Sequence, residues 1–364
     1  MKILVVSNMY PDKSHPFYGT FVKNFCDQLP SINVDFELSI MKKKDLKLEK
    51  VYNYMKFILG TIFKILFQKY DVIYIHYASI SSIPVIVAHI FKRNLVIYTN
   101  VHGSDVVPEN KKHQLFHMFT KKILKISNKI IVPSLYFKDY VVSKYNLDQN
   151  IIYIYSSGGV NPNIFYKIDD NLYNEIFDEF HLSVNKKYVA YVGRITKDKG
   201  WDIYCYALKK ILENNNNIMG LIAGSGNEYQ KLIDLTKKLE IYDKIVFLPL
   251  LSQENLNKIY NIIECLIFPS KREGESLGLI PLEAMSSGAI VLVNGMAAPS
   301  KYITDKYDGF IYKKNDINSL TKNIEHIINL NIYEKKYIAD NALSKSTEYY
   351  PDNLNKYLKE IFYK

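Results

Sequence analysis

The chain has 364 residues, enough for two domains of ordinary size, and 48% hydrophobic against 23% charged residues marks it as globular rather than disordered. Cys26, Cys205 and Cys265 stand far apart with no CxxC spacing, which argues against a disulfide framework or a zinc knuckle and for a reducing compartment. The net charge of +10 lies wholly in the first half: residues 1–165 carry 21 Lys and Arg against 11 Asp and Glu, while residues 166–364 carry 26 against 26.

The chain starts M-K-I-L-V-V-S-N-M-Y-P, too short an apolar run for a signal segment, and reads as a first strand. No uncharged apolar run reaches the roughly 18 residues that span a bilayer. Strands are expected at Ile3–Ser7, Val34–Ile40, Val72–His76, Leu95–Thr99, Ile130–Val132 and Ile151–Tyr155. Helices are expected between them, at Thr20–Leu29, Val51–Lys69, Ser82–Phe91, Lys112–Ile126 and Leu135–Lys144. This βαβ alternation predicts a parallel sheet covered on both faces. Two of the helices carry a second signal. Lys112 to Lys129 sets Lys121, Lys122 and Lys125 beside Leu115, Phe116, Met118, Phe119, Ile123 and Leu124, the pattern of a basic surface helix. Val51 to Tyr70 is more apolar, with a narrow polar stripe at Asn53, Lys56, Gly60 and Lys64, and reads as a core helix.

The second half repeats the alternation. Strands are expected at Tyr188–Val192, Gly220–Ala223, Ile245–Leu248, Leu266–Phe268, Ala289–Val293 and Phe310–Tyr312. Helices fall at Trp201–Leu212, Glu228–Leu239, Gln253–Tyr260 and Leu279–Ser287, with more after Ile317. The joint belongs in Ser156–Asn185, opened by the turn-rich Ser156-Ser157-Gly158-Gly159. The reading is a first domain over 1–165, a second over 166–349, and a final helix over 350–364 that caps the second domain or crosses back to the first.

Chemistry-bearing residues gather at the expected carboxyl ends of strands, where open α/β sheets bind ligands. Val101-His102-Gly103-Ser104-Asp105 follows one strand of the first half; His102 sits at its end and Asp105 is near enough to orient the loop. In the second half, Gly193 frees a turn while Arg194 and Lys199 project two cations suited to a diphosphate. Ala223-Gly224-Ser225-Gly226 is a Gly-rich strand-to-helix turn, but Tyr229 stands where a dinucleotide fingerprint needs its third glycine. Glu273 and Glu275 lie in a strand-to-helix loop. Ser276, Leu277 and Gly278 are expected to offer free N–H groups to a phosphate, and Gly278 lets a ligand approach closely. Glu283 falls about one and a half turns into the helix, placed to accept hydrogen bonds from ribose hydroxyls. The chain contains no Asp-x-Asp triplet, HExxH or P-loop, and His113 and His117 suggest no third metal ligand.

Together these pieces resemble the family-4 glycosyltransferases of GT-B fold, which are retaining enzymes using sugar nucleotides. The resemblance runs over almost the whole chain. Glu275-Ser276-Leu277-Gly278 through Glu283 matches the family's E-x7-E motif, implying that Glu275 meets the donor sugar and Glu283 the ribose. Arg194 and Lys199 match its diphosphate-binding pair, and His102-Gly103-Ser104-Asp105 its H-G-x-D loop, whose His faces the donor sugar. Gly159-Val160-Asn161 with Phe165 resembles the G-V-D…F element closing the first domain, with Asn for Asp. In the N-terminal loop, Phe17-Tyr18-Gly19-Thr20, Gly19 alone matches a usual glycine pair near the phosphates.

The resemblance implies two Rossmann-like, doubly wound α/β domains facing across a cleft. His102 and Glu275 would be catalytic, and Gly19, Asp105, Arg194, Lys199, Gly224, Ser276, Leu277, Gly278 and Glu283 would bind substrate. The donor would be a UDP- or GDP-sugar carrying a hexosyl or N-acetylhexosaminyl group, with no cofactor and no metal. The acceptor would be a lipid-linked glycan of capsule or lipopolysaccharide synthesis, with the enzyme cytoplasmic and peripheral on the inner face of the plasma membrane. The basic half would then meet an anionic membrane surface. A non-hydrolysing sugar-nucleotide epimerase and a nucleic-acid-binding protein stay open as alternatives.

Overall fold

A computed structural model describes residues 1–15, 18–44 and 46–364, without the side chains of Lys47 and Lys112. Phe17, part of the N-terminal loop match, lies outside the described residues. The chain divides into two compact units, residues 1–159 with 351–364, and residues 160–350.

The first unit runs β1 (Lys2–Ser7), α1 (Thr20–Gln28), β2 (Asp35–Ile40), α2 (Lys47–Phe67), β3 (Val72–His76) and α3 (Ser82–Phe91). It continues with β4 (Ile97–Asn100), α4 (Lys111–Ile126), β5 (Lys129–Val132), α5 (Leu135–Tyr145) and β6 (Ile152–Ile154). All neighbouring strands are parallel, in the order β2-β1-β3-β4-β5-β6. Val72-Ile73-Tyr74-Ile75-His76 is buried throughout, as a strand covered on both faces must be. The strand order reverses between β1 and β3, so their carboxyl ends flank a natural ligand position.

Helix α2 departs from the sequence reading. Asn53 and Lys64, expected on a polar outer stripe, turn inward to the edge strand. Asn53 Nδ2 donates to the Lys42 carbonyl at 2.8 Å, and Lys64 Nζ to that of Leu38 at 2.9 Å while pairing with Glu37 at 2.8 Å. Thr61 shares a 2.7 Å hydroxyl bond with Ser39. Phe57 and Ile65 are buried, but Met55, Leu59, Phe63 and Phe67 face outward. The helix is therefore apolar on its exposed side and only half a core helix.

The second unit runs α6 (Tyr173–Glu179), β7 (Lys187–Val192), α7 (Trp201–Asn214), β8 (Ile218–Ala223), α8 (Tyr229–Lys238), β9 (Ile245–Leu248) and α9 (Gln253–Ile262). Then come β10 (Cys265–Phe268), α10 (Leu279–Ser286), β11 (Val291–Asn294), α11 (Pro299–Tyr302), β12 (Phe310–Tyr312), α12 (Ile317–Asn329) and α13 (Ile332–Thr347). Its parallel sheet has the order β12-β11-β10-β7-β8-β9, reversing between β10 and β7. Val160 to Phe165, grouped with the first domain by sequence, pack in this second unit. Val160 N–H donates to the Tyr349 carbonyl at 2.9 Å, and the Phe165 ring lies 6.2 Å from that of Tyr260.

The last helix, α14 (Pro351–Tyr363), belongs to the first unit. Leu354, Leu358, Ile361 and Phe362 complete a core with Val5, Phe25, Tyr74 and Tyr155. Lys129 Nζ donates to the Ile361 carbonyl at 2.7 Å, and the Tyr363 hydroxyl to that of Ile32 at 2.7 Å.

Candidate active site

In the second unit, the loops after β7 and β10 flank the point where the strand order reverses, and they carry most of the expected site. The loop after β7 is stacked directly on the loop after β8. A Cβ on Gly224 would lie 2.0 Å from the Gly193 carbonyl oxygen, so only glycine lets the two backbones meet. Ile195 N–H donates to the Ser225 carbonyl at 2.9 Å and fixes the pair. The stack leaves a cavity of about 200 Å³ lined by Gly193, Arg194, Gly224, Leu250, Leu251 and Ile280. The exposed Arg194 is a cation at the rim of an otherwise apolar recess.

Glu275 sits across this switch point in the loop after β10. Its Oε2 lies 2.5 Å from Lys199 Nζ and accepts from the Ser270 hydroxyl at 2.9 Å. Burial pushes the Glu275 carboxyl up, but the Lys199 ammonium, the Arg272 guanidinium and the two hydrogen bonds outweigh it and hold it below its ordinary value. Arg272 is in turn held by Asp198 at 3.1 Å, and Asp198 by the Thr196 hydroxyl at 2.6 Å. Lys199 also lies 5.5 Å over the Phe268 ring. The result is a fixed, largely buried carboxylate wrapped in positive charge.

Helix α10 starts at Leu279, as the sequence suggested. Gly278 is its N-cap, with φ at 77°, and a Cβ there would press to 2.7 Å from Pro299. The first-turn N–H groups therefore belong to Leu279 and Ile280, not to Ser276 and Leu277. Leu277 is buried and Ser276 half-buried in the loop before the helix. Glu283 occupies the middle of α10, half-buried, and burial raises its carboxyl to about 7. The buried Tyr302 hydroxyl donates to the Gly278 carbonyl at 3.0 Å, and burial holds its pKa well above the ordinary value, with the charges of Glu275 and Glu283 adding to the shift.

In the first unit, Gly19 caps α1 with φ at 79°, and a Cβ there would meet Met9 at 2.7 Å and Tyr10 at 2.8 Å. Its glycine is explained by that backbone contact. Two residues on, the Phe21 ring lies 4.2 Å from His102, so the cap and the β4 loop are neighbours. Asp105 is buried, and both its oxygens are spent on backbone. It accepts from the N–H groups of His102 at 3.0 Å, Gly103 at 2.8 Å and Ala78 at 2.9 Å. That geometry makes it a residue that orients the His102 loop, as its place in the sequence suggested. His102 Nε2 meets Nδ1 of His76, at the end of β3, at 3.0 Å. Burial lowers both imidazoles, His102 to about 3 and His76 well below its ordinary value, so the pair is neutral near pH 7.

Residues 173–343 match the family described as Glycosyl transferases group 1, and residues 36–158 match Glycosyltransferase Family 4. The two matches follow one another in chain order and together cover 294 of the 364 residues. The chain belongs to the family-4 glycosyltransferases. A relative named as an uncharacterized glycosyltransferase of Methanocaldococcus jannaschii is 27% identical over 81% of this chain and 75% of its own length. The capsular polysaccharide biosynthesis glycosyltransferase CapM of Staphylococcus aureus is 27% identical over 68% of this chain and 64% of its own. Among solved structures, Anabaena HepE in complex with UDP superposes with a TM-score of 0.77 at 14% identity, over 99% of both chains. The glycosyltransferase thus has the two-domain α/β fold of GT-B type, and transferase chemistry replaces the epimerase and nucleic-acid alternatives.

Within each unit the structure gathers the expected residues: Lys199 with Glu275, Arg194 with Gly224, and Gly19 with the His102 loop. Sequence reasoning missed Arg272, Asp198, Ser270 and the Leu250–Leu251 wall of the glycosyltransferase's cavity. Arg272 was legible as a cation beside Glu275. The leucines follow a strand with nothing but apolar character to mark them.

Proposed function

We propose that this glycosyltransferase moves a hexosyl or N-acetylhexosaminyl group from a UDP- or GDP-sugar to a hydroxyl of a lipid-linked glycan, with retained anomeric configuration, in cell-surface polysaccharide synthesis on the cytoplasmic face of the plasma membrane. The observation that carries the donor reading is the ionised, cation-wrapped Glu275 at the switch point beside the glycine-stacked cavity. The base would enter the apolar recess past Gly193 and Gly224, and Glu283 would accept from the ribose hydroxyls. The diphosphate would lie against Arg194 and Lys199. An ammonium has three donors and Glu275 takes one, so Lys199 can hold the carboxylate and a phosphate oxygen together.

Negative charge grows on the departing diphosphate as the glycosidic bond breaks, and fixed cations there stabilise it without a reorganisation cost. Positive charge grows on the sugar ring, which Glu275 stabilises as a carboxylate. His102, neutral and tethered through Nε2, would orient the sugar or its attack partner rather than carry a charge. In this reading Arg194 and Lys199 take the place of a divalent metal. The lipid-linked acceptor and the membrane site are supported by the likeness to CapM and by the basic first half.

The test is thermal-shift screening against UDP, GDP, ADP and their sugars, followed by transfer assays with Glu275→Gln. A stabilising shift from one nucleotide series is expected, with Glu275→Gln folded but reduced about a hundredfold or more in transfer. Unaltered transfer by that variant would remove Glu275 from the mechanism.

A further inference from the structure

We propose that α2 is a membrane-docking helix, lying along an anionic bilayer with its outer face set among headgroups and upper acyl chains. The purpose of such a contact builds on the lipid-linked acceptor proposed above. Leu48, Tyr52, Met55, Leu59, Phe63 and Phe67 repeat at helical spacing and are each 57–86% exposed. The rings of Phe63 and Phe67 lie 4.8 Å apart, so the stripe is continuous at that end. Over 21 residues it runs roughly 30 Å. A helix whose outer partner is water turns its polar groups out, yet Asn53, Thr61 and Lys64 all turn in. An exposed apolar stripe of this length marks a contact surface.

The charges around the stripe favour lipid as its occupant. Exposed Lys42 and Lys44 precede the helix, Lys50 and Lys56 lie along it, and Lys69 follows it. On α4, exposed Leu115 and Met118 stand with exposed Lys121, Lys122 and Lys125. A basic margin around apolar side chains is complementary to anionic headgroups over acyl chains. A second copy of this chain on the same stripe would bring lysines against lysines. A cavity of about 740 Å³ adjoins the inner shoulder of α2. Tyr54 and Ile58 of α2 and Phe116 of α4 wall it, while Asn8, Tyr77 and Ser79 at the ends of β1 and β3 give it polar groups. A molecule with an apolar stem in the bilayer and a polar head could reach this cavity without leaving the surface.

Co-sedimentation of the full chain with phosphatidylcholine vesicles, with and without phosphatidylglycerol, at low and high salt, tests the helix. The parent should bind the anionic vesicles. Met55→Ser with Leu59→Ser and Phe63→Ser should lower its partitioning about tenfold or more at both salt levels. Lys121→Glu with Lys125→Glu should lower it at low salt alone. Unchanged partitioning by the triple variant would overturn the proposal, as would equal binding to neutral and anionic lipid. A parent dimer dissolved by the triple variant would assign the stripe to a second copy and overturn it too. As a measurement independent of the triple variant's folding, Leu59→Cys is labelled with a polarity-sensitive dye, the three native cysteines being buried. Its emission should shift to the blue with anionic vesicles, and no shift refutes insertion. Nucleotide thermal shifts on the same proteins read the donor site separately, so a failed donor reading and a failed membrane reading are told apart.

Discussion

Lys199 and Glu275 hold each other, and that mutual dependence separates two cations that look alike in sequence. Removing Lys199 leaves a largely buried carboxylate without its main partner, a change that costs about 3 kcal/mol. Lys199→Ala should therefore lower the melting temperature and weaken nucleoside diphosphate binding together. Arg194→Ala should weaken binding by about 1.5–3 kcal/mol with the melting temperature unmoved, since Arg194 is exposed. Calorimetry of both variants with the preferred diphosphate checks this, and a Lys199→Ala protein as stable as the parent would contradict the ion pair's role. The Glu275 carboxyl is held below its ordinary 4.5, so the pair's stabilisation is complete above that value and is lost as pH falls through the folded value. Glu283 has the opposite sign. Its folded carboxyl, near 7, binds a proton that the unfolded chain has already released, so it subtracts stability as pH rises from about 4.5 to about 7. If the ionised form accepts from ribose, affinity for the sugar nucleotide should rise between pH 6 and pH 8 and lose that slope in Glu283→Gln. A sugar diphosphate ester does not itself titrate there, which makes isothermal titration across this range decisive. These roles could be guessed from spacing, but the Arg272–Asp198 clamp could not, because only the folded loops bring residues 198 and 272 together.

At the scale of elements, glycine-stacked loops shape the cavity. Gly224→Ala places a methyl against the Gly193 carbonyl in a backbone conformation with φ at 146°. Strain of this kind costs about 1–3 kcal/mol, and a denaturant titration should show it as a lowered midpoint with an unchanged slope. Nucleotide binding should weaken as well, since the same two loops line the recess. Periodicity made the strands and most helices legible, because parallel strands are apolar on both faces. It misled at α2, where hydrophobic spacing shows that one face is apolar but not which way that face points. It did place the start of α10 at Leu279, though not the left-handed cap at Gly278, which composition does not reveal.

For the whole glycosyltransferase, the fixed cations of the donor site predict that chelation with EDTA leaves most of the transfer activity. Loss of activity with EDTA and its return with magnesium or manganese would refute that reading. Two α/β units are legible in the alternation of strands and helices, while the allocation of residues 160–165 and of the last helix depends on packing. That last allocation has a consequence for how the protein is made. The first unit's core closes on Leu354, Leu358, Ile361 and Phe362, so strands made before the second unit wait for a helix made after it. On a ribosome the segment 160–350 can finish folding while strands β1 to β6 still lack a wall of their core. The nascent first unit therefore carries an open apolar flank while the second unit is being made, and the cell must keep that flank from aggregating until α14 arrives.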